Sequence, residues 1–499
     1  MATGNSPWDK YTLLSLDGGG IRGFASMLLL EKLMDHVRTV EQDPEFLNEL
    51  REMNPTVNVE VAPSSFHPHG CPIQNHNYAG NLFLPCHYFD CIIGTSTGGL
   101  IATMLGRLRM TVTLVKEQYE QLGDEIFGSP RWFHYHMAPL PFPRNKFDYQ
   151  NLEKVVRRIV GKFDSRPNSR HGFPNPAFCK TDDDLCKTIV TAYGTVRNPD
   201  TGALLEDGTY FFQTYDTTRR ALPEEVVSEG NAPGATIPEG TPNPGFSYPG
   251  PIWEVARAST AALTYFDPCD ITAFNGNVWR FHDAGMLEAN NPTQDGFAEL
   301  QSWGPHHNYD AFDAVVSIGT GSYPVHRTVA KRAGGIKEII NIIYYSGFAV
   351  RGNAEVVHKK VNQRLSDLEQ RIYWRFNDIN AEWEGIPLDA WENDFSNGVK
   401  VNGGKTLGKM RRLINAYLGG DGVQGELREC AKRLVKHRRL RHAADYNRWE
   451  RFALATVYKC DRCFRKFATK DELVLHFQAK QIPVPDNMDP YRHCWNYTF

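Results

Sequence analysis

The sequence predicts an α/β fold of three layers, a mainly parallel central sheet between helices, and two glycine-rich turns carry the prediction. In each, an apolar run that reads as a strand ends in small residues and passes into a helical pattern. Tyr11–Leu16 (YTLLSL) leads into Asp17-Gly18-Gly19-Gly20-Ile21-Arg22-Gly23, and Tyr88–Ile93 (YFDCII) leads into Gly94-Thr95-Ser96-Thr97-Gly98. A third strand pattern, Trp279–Gly285 (WRFHDAG), ends in Asp-Ala-Gly before a turn and helix start at Asn290-Asn291-Pro292. Strands that alternate with helices line up in parallel, because each helix is the crossover that returns the chain to the same end of the sheet.

The first turn, between the Tyr11–Leu16 strand and an amphipathic helix over Phe24–Val40, admits two readings. Consecutive glycines in that position cradle phosphates. A Walker loop, however, places Lys-Ser/Thr after its glycines, which this chain does not, and the G-x-G-x-x-G spacing is only loosely met. The amides of Gly18, Gly19 and Gly20 beside Arg22 suit instead a carbonyl oxygen that becomes an oxyanion; removing one such donor typically costs about 3 kcal/mol in the barrier. Arg22 either holds the loop or adds positive charge near the oxyanion, and the loop-holding role is favoured.

The second turn has the G-x-S-x-G form, in which a tight strand-to-helix bend lifts the serine hydroxyl clear of the backbone and small neighbours avoid clashes. A helix over Leu100–Leu108 (LIATMLGRL) follows, with its unpaired N-terminal amides behind Ser96. Taken alone, the motif also reads as a small-residue turn that packs a helix on a strand. A serine at its free pKa is a poor nucleophile, so a base must lie within reach. Asp283 is the candidate, at the carboxyl end of what reads as a parallel strand, where open α/β sheets place their chemistry. Its neighbour His282 points to the opposite face of a regular strand and is read as structural.

These residues together resemble a known family, the patatin-like phospholipases of the intracellular lipid acyl hydrolase type. The matching stretches are Asp17–Gly23 (DGGGIRG), Gly94–Gly99 (GTSTGG), Asp283-Ala284-Gly285, Asn290-Asn291-Pro292 and Val316–Gly321 (VSIGTG), in the family's order; Trp253–Phe266 (WEVARASTAALTYF) is similar to the helix and turn before the aspartate strand, without the family's proline near Leu263. The resemblance covers about the first two-thirds of the chain. It implies a patatin-like hydrolase core, Ser96 as nucleophile, Asp283 as base in a two-residue dyad, and the Gly19 and Gly20 amides as oxyanion donors. It also implies a glycerolipid or phospholipid substrate cleaved through an acyl-serine intermediate, with no cofactor required for catalysis. For a dyad without histidine, burial must raise the carboxylate pKa from roughly 4 so that proton transfer does not run far uphill.

With 41% apolar residues, 499 positions suffice for a large core plus additions, two or three domains in all. The 55 basic and 58 acidic residues leave a net charge of −3, so a nucleic-acid partner is not expected. Met1–Lys10 lacks a basic stretch followed by an apolar core, and no run approaches the ~18 apolar residues of a membrane span. A cytoplasmic enzyme that meets a membrane surface transiently is the expectation, its ten cysteines reduced thiols rather than a disulfide frame.

The tail is the exception among those cysteines. Cys460-Asp461-Arg462-Cys463 is followed by Phe467, Leu473 and His476, and twelve residues separate Cys463 from His476, as in a zinc finger of the two-cysteine, two-histidine kind. The second histidine is missing, Lys480 and Gln481 standing in its range, so Cys494 or else His493 must loop back as the fourth ligand of a structural zinc. A degenerate, metal-free finger is the other reading. A closed four-ligand site leaves no place for water, so its role is folding or recognition of a protein partner.

The resulting plan is a catalytic domain over 1–330 with insertions at about 54–85 and 223–251, a helical extension over 331–445 and a finger-like module over 446–499. The first insertion, with His67, His69, Cys71 and His76, lacks metal-ligand spacing and reads as a Pro/His-rich surface loop; the second is Pro/Gly-rich. Ile126–Phe147 is aromatic and reads equally as an acyl-pocket lining or bilayer contact, or as packing over the sheet. Leu427–Arg441 carries seven basic residues on a helix, either to meet anionic headgroups or as a solvated face.

Overall fold

The run Leu13-Leu14-Ser15-Leu16 is buried on both faces, and the fold uses it as the middle of a sheet. The computed structural model describes residues 6–57, 83–131, 145–163, 177–178, 185–197, 203–216, 247–272, 278–286, 289–303, 311–322, 354–395, 398–454 and, with short gaps, 458–484. Its sheet comprises β1 (Tyr11–Leu16), β2 (Cys91–Thr95), β3 (Lys187–Arg197), β4 (Leu204–Gln213), β5 (Cys269–Thr272), β6 (Val278–His282), β7 (Phe312–Ile318) and β8 (Tyr373–Phe376), in the order β5-β6-β3-β2-β1-β7-β8 with β4 also on β3. The run from β3 through β2, β1 and β7 to β8 is parallel; β4, β5 and β6 are antiparallel additions at one side.

Side chains of successive strand residues point to opposite faces, and the two cores follow that rule. Leu14, Leu16, Ile92 and Val316 join one cluster with α1 (Gly23–Glu41), α3 (Thr97–Ala102) and α4 (Val112–Phe127), whereas Leu13, Cys91, Ile93 and Val315 join Phe297 of α7 (Thr293–Gln301) and Val361 of α8 (Ala354–Leu365). Between these helices come α2 (Pro44–Met53), α5 (Tyr149–Phe163) and α6 (Ile252–Ser259); α9 (Gly404–Leu418), α10 (Asp421–Ala444) and α11 (Tyr446–Leu454) complete the first face. This is the three-layer α/β class that the strand–turn–helix pattern predicts. The helix expected over Leu100–Leu108 is α3 followed by a π-helical turn, Thr103–Arg107, where Gly106 lies close against Thr188 of β3.

Three expectations are corrected. The strand that ends at Asp283 is antiparallel to β3, because it enters the sheet from the far end of that strand. The described residues of the 331–445 segment do not stand apart as a helical extension: β8 pairs with β7 inside the sheet, and α10 packs its buried Leu427, Ala431 and Leu434 in the same cluster as α1. Nor is its basic face solvated throughout: Arg428 is exposed, but the last turns of α10 turn their arginines inward. Arg438 and Arg439 are buried against Glu41 of α1, at 2.6 and 2.8 Å, and Arg441 forks onto Asp90. Charges this deep need partners, and the partners here, Glu41 and Asp90, lie within the α/β body rather than in a membrane. Beyond α10, Phe452 of α11 stands edge-on to Trp8.

Of the aromatic segment, Phe127 and Phe147 pack on each other and Phe147 on Tyr265 and Phe266, which is the packing reading; Trp132, Phe133, Tyr135 and Phe142 lie outside the described residues. So do His67, His69, Cys71 and His76, and 223–246 of the second insertion. Among the described residues no helix is long and apolar enough to cross a membrane.

Candidate active site

Ser96 and Asp283 meet because of how the two edges of β3 are used. One edge carries β4 along most of its length. The other is shared: β2 occupies it in parallel as far as Thr95, opposite Thr191, and β6 occupies it in antiparallel sense down to His282, opposite Tyr193. The two strands arrive head-on, leaving Ala192 opposite the break, and the next residue of each is the candidate nucleophile or the candidate base. The Ser96 hydroxyl donates to Asp283 Oδ2 at 2.5 Å.

The bend at Ser96 is strained and tightly packed. Its φ of 55° and ψ of −124° lie in a region that residues with a Cβ rarely adopt, the signature of a nucleophile elbow. The glycines around it leave no room for side chains. A Cβ on Gly94 would stand 2.2 Å from the Gly98 carbonyl oxygen, and one on Gly98 would stand 2.4 Å from that of Leu16. The Ser96 amide donates to Ser259 Oγ at 2.9 Å, and that hydroxyl donates onward to the Thr191 carbonyl at 2.7 Å, so α6 ties the elbow to β3. Both Ser96 and Asp283 are buried. Asp283 Oδ1 accepts the Gly285 amide at 2.8 Å. Burial nevertheless dominates and pushes its carboxyl up from 3.8 to about 6, against the pull of the Ser96 and Gly285 hydrogen bonds. His282 is half-buried on the strand's other side, and its burial lowers its pKa.

The glycine turn lies alongside. A Cβ built on Gly18 would stand 3.2 Å from Ser96 Cβ. Its three amides are not equivalent, which corrects the reading of Gly18 as a donor: the Gly18 amide is spent on the Asn290 carbonyl at 3.0 Å. Among the described residues the Gly19 and Gly20 amides have no acceptor. Gly20, at φ 54°, must be glycine, because a Cβ there would stand 2.1 Å from the Leu388 carbonyl oxygen. Arg22 turns away to act as a brace, its Nε donating to the Ile386 carbonyl at 2.6 Å and its Nη2 to that of Trp383 at 2.8 Å. Ile21 donates its amide to Leu388 at 2.7 Å, and Tyr119 holds the Gly20 carbonyl at 2.5 Å.

The site is thus a buried serine–carboxylate pair at 2.5 Å on a strained elbow. Residues 78–296, which contain both members of the pair, match the sequence model of the patatin-like phospholipases. That stretch is similar to a patatin-like phospholipase domain. The chain is 26% identical over 397 residues to phospholipase A I of Arabidopsis thaliana, covering 77% of this chain and 26% of that protein. It is 24% identical over 398 residues to the calcium-independent phospholipase A2-gamma of Oryctolagus cuniculus, covering 79% and 38%. With the 85/88 kDa calcium-independent phospholipase A2 of Rattus norvegicus it shares 28% identity over 248 residues, 47% of this chain and 23% of the relative. The matched stretches thus span only about a quarter to two-fifths of the length of these relatives.

Ser259 and Thr320 fall inside the stretches Trp253–Phe266 and Val316–Gly321 that resemble the family, though nothing in those stretches marks them as supports of the site. Asn290 stands in the Asn290-Asn291-Pro292 stretch that resembles the family, but no local signal marks its carbonyl as the acceptor of the Gly18 amide; Arg375 and Trp383 carry no signal at all, because their contacts with the glycine turn are long-range.

The tail folds as a small ββα unit of β9 (Tyr458–Lys459), β10 (Lys466–Phe467) and α12 (Lys470–Ala479), with Cys460, Leu473 and Phe477 as its core. The ligand atoms of Cys460, Cys463 and His476 lie within 4.8 Å of one another, and Cys463 Sγ is 3.3 Å from His476 Nε2. Two thiols and an imidazole converging at this range form a donor set that fits zinc. His493 and Cys494 lie outside the described residues.

Proposed function

We propose that the protein is a serine acyl hydrolase that cleaves fatty-acyl esters of phospholipids or other glycerolipids. The observation that carries the reading is the 2.5 Å hydrogen bond from the Ser96 hydroxyl to a buried carboxylate; relatives named as phospholipases support the substrate class. Ser96 Oγ attacks the ester carbonyl carbon while its proton passes to Asp283 Oδ2. The carbonyl oxygen becomes an oxyanion facing the Gly19 and Gly20 amides, donors already oriented where charge develops. On collapse the carbon–oxygen bond to the glycerol breaks, and Asp283 returns the proton to the leaving oxygen. Water then attacks the acyl-Ser96 ester, with Asp283 again as base, and releases the fatty acid.

A carboxylate pKa near 6 suits this work better than an ordinary aspartate would. An alcohol in place of water makes the same intermediate a transacylase. Fatty-acid release from a panel of phospholipids and neutral glycerolipids, measured on the parent and on Ser96→Ala, tests the assignment. A loss of at least a thousandfold in the variant is expected, and an equally active variant removes Ser96 from the mechanism. At the tail, Cys460, Cys463 and His476 hold a structural zinc, with Cys494 or His493 completing the tetrahedron.

A further inference from the structure

Resting on that reading, we propose that Arg375 is a positioning residue for the reaction: from the outermost described parallel strand, outside the stretch matched to the family, it sets the oxyanion turn. Asp17 is the hinge between β1 and the glycines. Arg375 reaches it from β8 across the intervening β7, with Nη1 on Asp17 Oδ1 at 2.9 Å and Nη2 on Oδ2 at 2.6 Å. On the way it donates to Ser317 Oγ at 2.9 Å and to Glu355 Oε1 at 2.8 Å. Side chains of both members of the pair are nearly inaccessible, at 4% and 2% exposure, so the fork is shielded from water and from salt.

A second line starts from the same glutamate. Asn377, two residues after Arg375 and the first past β8, donates to Glu355 Oε1 at 2.8 Å and accepts the Gly321 amide at 2.9 Å. Thr320, beside it, donates to the Gly18 carbonyl at 3.1 Å. The two lines converge on Glu355 and grip the turn at consecutive residues, one at the Asp17 carboxylate and one at the Gly18 carbonyl. Their joint effect is to fix the peptide planes that follow, whose amides are those of Gly19 and Gly20. A bidentate fork resists rotation of the group it holds, which a single ammonium contact does not. Reorienting an oxyanion donor leaves substrate binding alone and raises the barrier, so the change falls on kcat.

Two variants test this in the full chain. Arg375→Lys keeps the charge and loses the fork. Asp17→Asn combined with Arg375→Gln removes both charges together, so neither is left buried alone. Both are measured with a soluble short-chain ester, by thermal unfolding, and by hydrogen exchange of the segment 17–22. Expected is a kcat at least tenfold lower in each variant, KM within twofold of the parent, and exchange of 17–22 at least tenfold faster while that of β3 is unchanged. A folded variant with kcat within threefold of the parent, or a lysine variant whose 17–22 segment exchanges as in the parent, overturns the proposal. Failure of the functional reading looks different: the parent itself then shows no Ser96-dependent hydrolysis, while the exchange experiment still decides whether Arg375 holds the turn.

Discussion

A single carboxyl should drive activity and stability in opposite directions across the same pH range. Asp283 is buried, and its pKa rises from 3.8 to about 6 in the folded chain. Because the native state binds this proton more tightly than the unfolded chain does, the stability it confers is complete below pH 4 and is lost as the pH climbs through about 6. A hundredfold change in proton affinity corresponds to about 3 kcal/mol, a large fraction of a typical folding free energy of about 5–15 kcal/mol. Hydrolysis has the reverse dependence, since only the ionised form accepts the Ser96 proton, so kcat/KM should rise with a midpoint near pH 6. The assay is a pair of profiles, melting temperature and kcat/KM between pH 4 and 8, for the parent and Asp283→Asn. The variant cannot ionise there and should lose hydrolysis, yet its melting temperature should fall less than the parent's as the pH rises from 4 to 7. Burial also raises Asp17 against the pull of Arg375, and the difference between the two profiles removes that common contribution. If the two melting curves shift in parallel, or if Asp283→Asn still hydrolyses esters, the burial argument is wrong.

Glu41→Ala strands two buried guanidinium groups, those of Arg438 and Arg439. Loss of one partner from such a site typically costs 3–5 kcal/mol, which chemical denaturation should register as a lower midpoint. For the tail, dialysed protein should hold about one zinc per chain by elemental analysis, and Cys460→Ser should lose it; a metal-free parent would establish the degenerate finger.

The elements legible in the sequence were those whose chemistry is local. The Ser96 elbow announces itself because Gly94 and Gly98 each lie against backbone within the same strand–turn–helix unit or beside it. Asp283 was readable from its place at a strand's end, but the direction of that strand was not, because Val278–His282 has the same alternation whether it runs with β3 or against it. Three successive glycines do not declare which amides are already bonded, and only the fold brings the Asn290 carbonyl to Gly18. The basic run of α10 misled for a related reason. Its composition is that of a solvent-facing helix, and the acid that draws Arg438 and Arg439 inward stands some four hundred positions earlier in the chain, on α1.

Along the shared edge of β3, the distance from hydroxyl to carboxylate is set by counting rungs. Two rungs separate Thr191 from Tyr193, and each of the abutting strands contributes one residue beyond its last pair. Changes of length before Val278 therefore leave the reacting pair untouched, whereas a single residue added between Val278 and Asp283 turns the acid to the reverse side of the sheet. Insertions should be accepted at the outer end of the antiparallel β5–β6 pair and refused between Val278 and Asp283, a division that a scan of insertions would map directly.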